Sequence, residues 1–170
     1  MKFLIALFFP IMACAQGVVV EVLPNIDEQK GWLLAKPLHL TIAHLPDQTL
    51  ATVNKGLDEF NRRNKYKLES LLKEGFVVGS FSDNGFNLGY KIILANASTK
   101  NRFERLNRMF YAFAIGKGWK MSEKTTPQFL LPAQRYFYIP HMEFLKKAPP
   151  FPSAGIIFSF PQRFLSARAL

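Results

Sequence analysis

Two stretches of this chain have the alternation of a half-buried strand, and each carries a histidine in a matching frame. In Pro37-Leu38-His39-Leu40-Thr41-Ile42-Ala43-His44-Leu45, the residues Leu38, Leu40 and Ile42 fall on one face and His39, Thr41 and Ala43 on the other. A period of two aims one imidazole and one hydroxyl the same way from rigid backbone. About a hundred residues further on, Tyr138-Ile139-Pro140-His141-Met142-Glu143-Phe144-Leu145 repeats the form. There His141 and Glu143 share a face, and Met142 and Phe144 share the other. The chain has three histidines, and two of them stand in these frames. The third, His44, falls by strict alternation on the side of Leu40 and Ile42, which reads as structural.

Between and around these strands the pattern changes period. Leu50, Val53, Leu57 and Phe60 recur every three or four residues, which predicts a helix over about 48–64, capped by Asp47. Its basic end, Arg62, Arg63, Lys65 and Lys67, suits a helix C-terminus. The runs 76–81 and 86–94 read as a hairpin closed through Ser82-Asp83-Asn84-Gly85. A second helix follows over about 100–115, capped by Ser98 or Thr99, with Phe103, Leu106, Phe110 and Phe113 as its apolar stripe. Gly116-Lys117-Gly118 stops it. Residues 119–134 read as irregular, and the second histidine strand begins near Arg135. The β-branched run at 18–22 predicts an early strand and 155–160 a late one; the last ten residues read as a basic tail. The sum is α+β: mostly antiparallel sheets with two main helices, bilobal, with a pseudo-two-fold arrangement of the two histidine strands about a central cleft.

At 170 residues the chain is one domain, and 49 % hydrophobic residues with 17 Phe supply a core. Residues 1–15 read as a secretory signal: Lys2 is the positive start, 3–12 the apolar run, and Ala13-Cys14-Ala15 a cleavage site leaving Gln16 first. The apolar run is too short to span a bilayer. The alternative is lipidation of Cys14, for which Met12 is a poor fit. This places the chain in the periplasm or outside the cell, or anchored there through Cys14. The single cysteine excludes an intramolecular disulfide and a cysteine-based metal or redox site. A net charge of +10 favours anionic partners such as phosphates, nucleotides or RNA.

Two imidazoles on opposite sides of a phosphodiester suffice for acid/base phosphoryl transfer. One takes a proton from the attacking oxygen and the other protonates the leaving oxygen. A hydroxyl two residues beyond a histidine can hold a non-bridging oxygen. No set of carboxylates or histidines has recognisable metal-ligand spacing, so neither metal nor cofactor is expected. His39-Leu40-Thr41-Ile42, followed by an amphipathic helix, and Pro140-His141-Met142-Glu143-Phe144 later in the chain resemble the repeated His-x-Thr/Ser-hydrophobic motif of the 2H phosphoesterases. That superfamily includes 2′-5′ RNA ligase-like proteins and cyclic nucleotide phosphodiesterases. The resemblance covers about 18–145. It implies a bilobal α+β fold, a basic groove, and metal-free cleavage of 2′,3′-cyclic phosphates, 2′-5′ linkages or RNA ends. His39 and His141 are then the acid/base pair and Thr41 the phosphate-holding hydroxyl.

Glu143 departs from the motif: a carboxylate there repels phosphate and lacks the hydroxyl donor. It admits a second function class, an inactive nucleotide- or phosphate-binding module; a third is a basic envelope lipoprotein. Tyr138 and Arg135 are candidates for lining the groove and stacking on a base, and Lys36 for contacting phosphate. A monomer with no transmembrane segment in the mature chain is expected.

Overall fold

The computed structural model describes residues 17–25, 38–73, 75–77, 81–83, 90–93, 97–144 and 156–170; for 75–77, 81–83, 90–93, 142–144 and 156–158 it is the backbone that is described. The signal and lipidation readings at 1–15, the turn at Asn84-Gly85 and the contact assigned to Lys36 lie outside these residues.

The fold is α+β, with three helices and an antiparallel sheet among the described residues. Its strands are β1 (Val18–Val22), β2 (His39–Leu45), β3 (Gly75–Val77), β4 (Phe81–Asp83), β5 (Tyr90–Ile93), β6 (His141–Phe144), β7 (Ile156–Phe158) and β8 (Ser166–Ala169). Six of them form one sheet in the order β4-β5-β6-β2-β1-β8, and β3 pairs with β7 in a second sheet of two. The large sheet consists of two three-stranded halves that meet where β6 pairs antiparallel with β2. The two histidine strands are therefore the central pair.

Helix α1 (Leu50–Arg63) is capped by Thr49, whose Oγ1 accepts from the Thr52 amide at 3.3 Å, not by Asp47 as the sequence suggested. Arg62 and Arg63 occupy its last turn, where cations meet the negative end of the helix dipole. The chain then turns at Asn64 into a third helix, α2 (Lys65–Leu71), which the sequence reading did not separate. Asn64 leaves helical geometry, and its side-chain amide donates to the Phe60 carbonyl at 2.9 Å.

Helix α3 (Ala97–Gly116) starts earlier than its apolar stripe, so Thr99 lies buried inside it instead of capping it. At its end Gly118 takes φ +71°, a left-handed value that glycine adopts without strain, and the Trp119 amide returns to the Ala114 carbonyl at 2.8 Å. Phe60 of α1 packs edge-on against Phe110 at 5.4 Å and Phe113 at 5.2 Å, and Phe113 packs on Trp119 at 5.8 Å.

Three further expectations are corrected. The run 76–81 is split between β3, in the small sheet, and β4, so the hairpin consists of β4 and β5. The second histidine strand starts at His141, since 134–140 forms no ladder. The basic tail is strand β8, paired with β1 along its length. Asn61 of α1 holds the approach to β8 at both backbone groups of Leu165, donating to its carbonyl at 2.9 Å and accepting from its amide at 3.0 Å.

Candidate functional site

The two faces of the large sheet differ in kind. Val18, Val20 and Val22 of β1 and Leu40, Ile42, Ala43 and Leu45 of β2 all enter the core. Strict alternation would not put Ile42 and Ala43 on the same side. The register explains it: Val20 stands opposite Ala43, but Glu21 stands opposite Thr41. Ile42 is an extra residue, a β-bulge, and parity reverses across it. His44 consequently lies on the same side as His39 and Thr41, contrary to the sequence expectation. Its partner in the register is Val19, which lies outside the core cluster.

The bulge is held from the helix side. Asn107 of α3, 1 % exposed, donates through Nδ2 to the Ile42 carbonyl at 2.8 Å and to the Thr125 carbonyl at 2.7 Å. Thr125 ends a single 3-10 turn, Glu123–Thr125. That turn is also tied to β2 through His44, whose amide donates to Thr125 Oγ1 at 3.0 Å and whose carbonyl accepts from Ser122 at 2.8 Å. Burial and the neighbouring Lys124 ammonium both hold the His44 imidazole below the usual histidine range.

A pocket of ≈ 220 Å³ opens beside this junction, lined by Thr41, Lys124, Thr125, Phe137, Tyr138, Ile139 and His141. The two histidine strands and the 3-10 turn thus contribute to one cavity. His141 Nδ1 lies 2.8 Å from the Ile139 carbonyl. A carbonyl can only accept, so Nδ1 is the donor in this contact and carries a proton. Lys124 supplies positive charge and lies 5.9 Å from the centroid of the exposed Tyr136 ring.

His39 is in a different setting. It is 1 % exposed and does not line that pocket. Its Nε2 lies 3.4 Å from Nη2 of Arg168 on β8, and Arg168 Nε donates to the Glu21 carboxylate at 2.8 Å. Arginine has no acceptor, so in this contact the His39 Nε2 lone pair faces the guanidinium. On the backbone, His39 stands opposite Glu143, which puts His141 two positions along on the adjacent strand. Such diagonal positions share a sheet face and lie roughly 7–8 Å apart. The carboxylate of Glu143 lies outside the described side chains.

Tyr138 is buried in the wall between this pocket and a smaller one under α3, and its hydroxyl has no partner among the described residues. Burial, reinforced by Glu104, pushes its phenol strongly upward, so it stays protonated. Arg135 is exposed and does not line the pocket; its amide donates to Glu123 Oε1. Sequence reasoning missed Glu21, Arg168, Asn107 and Lys124. Two of these had a signal. Glu21 is a lone carboxylate in a valine run, which needs a partner when buried, and Ser166-Ala167-Arg168-Ala169 alternates with period two. Among the described residues no group of three histidine, cysteine, aspartate or glutamate side chains could hold a metal ion, and no helix is long and apolar enough to cross a membrane.

No family model matches the chain, and no curated protein sequence matches it. Among solved structures, the chain is similar to the crystal structure of the MHV ns2 PDE domain, with 13 % identity, a TM-score of 0.44 and 91 % of each chain covered.

Proposed function

We propose that this chain is a phosphodiesterase of the 2H phosphoesterase type, acting on a nucleotide or RNA phosphodiester through His39 and His141. One observation carries the reading: the register of β2 on β6 makes the two histidine positions diagonal neighbours on the central strand pair. On that spacing a phosphate group sits between two imidazoles. The proton of the attacking water or ribose hydroxyl passes to one ring as the new P–O bond forms. The other ring gives its proton to the leaving oxygen as the old P–O bond breaks. Thr41 and Lys124, beside His141 in the pocket, hold the non-bridging oxygens. Both histidine motifs match the 2H pattern at the histidine, and the first matches at the hydroxyl as well.

The test is turnover of the four 2′,3′-cyclic mononucleotides and a 2′-5′ linked oligoadenylate in EDTA, with His39→Ala and His141→Ala beside the parent. Cleavage that both substitutions abolish is the expected result. Cleavage that survives either substitution, or that EDTA abolishes, would sink the two-histidine reading.

The burial of His39 favours a second reading, a module that binds the phosphate group without turning it over. Tight nucleotide binding with no turnover distinguishes it. The export reading of 1–15, with residues 16–170 as one monomeric domain, belongs to this proposal. Intact mass of the protein from its native host tests it, because cleavage after Ala15 and diacylation at Cys14 give different masses.

A further inference from the structure

We propose that Arg168, on the C-terminal strand β8, is a phosphate-binding residue that caps His39 until the substrate anion takes its place. The inference rests on the phosphodiesterase reading and adds a residue that neither histidine motif contains. Three observations combine. Glu21, buried on β1, anchors the guanidinium by accepting from Nε at 2.8 Å. Nη2 of the same group points at His39 Nε2, 3.4 Å away. The Arg168 side chain is 35 % exposed, against 7 % for that of Glu21, so the arginine is the member of this pair that solvent reaches.

The register shows why these three residues meet. Glu21 stands opposite Thr41 on β2 and opposite Ser166 on β8, and Arg168 stands opposite Val19. Glu21, Val19, Thr41, Ser166 and Arg168 therefore share the polar face of the sheet, and His39 shares it by its spacing from Thr41. Arg168 reaches across Glu21 from the edge strand to the histidine.

The chemistry follows from donor and acceptor counts. The guanidinium offers five N–H donors and no acceptor. Facing it, His39 presents a lone pair at Nε2, which is the form a general base needs. A lone pair facing Nη2 is not yet available to a substrate hydroxyl. A phosphodiester anion is a stronger acceptor for a guanidinium than a neutral imidazole, and it can engage two N–H groups at once. Substrate binding then draws Nη2 onto a non-bridging oxygen, while Glu21 keeps Nε in place. The same movement releases the His39 lone pair for the attacking hydroxyl. This assigns His39 as the base and His141 as the acid, and it confines the uncapped base to the substrate-bound state.

The experiment is a titration with inorganic phosphate of the full protein, followed by 15N shifts of the imidazole nitrogens. The variants are Arg168→Lys, Arg168→Gln and the double change Glu21→Gln with Arg168→Gln; the double variant avoids a stranded buried carboxylate. In the parent, His39 Nε2 should resonate as an unprotonated acceptor and shift as phosphate binds. Removing the guanidinium should weaken phosphate binding by about tenfold or more and abolish that shift, with Arg168→Lys intermediate. Where a substrate is turned over, Arg168→Lys should raise KM more than it lowers kcat. Unchanged phosphate affinity in the folded double variant, or a His39 Nε2 shift in the parent that does not respond to phosphate, overturns the inference. Because the titration needs no turnover, it fails or succeeds independently of the phosphodiesterase assay.

Discussion

Replacing Asn107 by alanine tests the account of how the strand under the site is shaped. The Asn107 amide spans two buried carbonyls, Ile42 at 2.8 Å and Thr125 at 2.7 Å. Ile42 is the bulged residue, so its carbonyl depends on a donor from outside the regular ladder with β1. Removing the amide deprives both carbonyls of this donor, at about 1–2 kcal/mol each. Against this, Asn107 Oδ1 is itself buried without a partner among the described residues, and losing it returns about 1 kcal/mol. The net loss expected for Asn107→Ala is therefore about 1–3 kcal/mol. At about 2–4 °C per kcal/mol for a chain of this size, Tm falls by roughly 2–12 °C. Urea unfolding at constant m-value measures it directly. Asn107→Asp sharpens the test, because an ionised carboxylate has no donor and would face both carbonyl oxygens. It should be worse than alanine although its shape is closer. A loss below about 0.5 kcal/mol for alanine, or an aspartate variant more stable than the alanine one, would refute the reasoning.

Three more outcomes follow from the same structure. A Cβ on Gly56 of α1 would sit 2.2 Å from the buried Trp119 ring; Gly56→Ala should cost about 1–2 kcal/mol net, overpacking outweighing the gain in helix propensity, and a stabilised variant would contradict this packing. Tyr138→Phe removes a buried hydroxyl with no partner among the described residues, so it should leave stability unchanged or raise it by about 1 kcal/mol; a loss of 2 kcal/mol or more, read by urea, would mean the hydroxyl is bonded. The His44 imidazole is held low, chiefly by burial and then by Lys124, so the unfolded chain binds its proton first as pH falls. Its contribution to stability is therefore present above the unfolded value near 6.5 and is lost as pH falls through the lower folded value, and Lys124→Met should raise the His44 midpoint in an NMR titration. An unmoved midpoint would remove Lys124 as a cause.

What local pattern can encode was legible in the sequence. The period-two frame around His39 and the 3.6-period stripes ending at Phe60 and Phe113 became β2, α1 and α3, because side-chain direction within one element depends on backbone geometry alone. The α+β class followed from their order. The sequence also marked out His39, Thr41 and His141 as one set of residue types suited to one chemistry. Three-dimensional pairing decided the rest. A bulge is a property of two strands in register, so the reversal that moves His44 to the polar face has no signature in β2 by itself. Asn107 reads as a polar helix residue until α3 lies against the Ile42 carbonyl. Arg168 reads as tail charge until β8 docks on β1 and carries it across Glu21 to His39. These contacts join residues 65 to 147 positions apart, and separations of that size enter a structure only through tertiary packing.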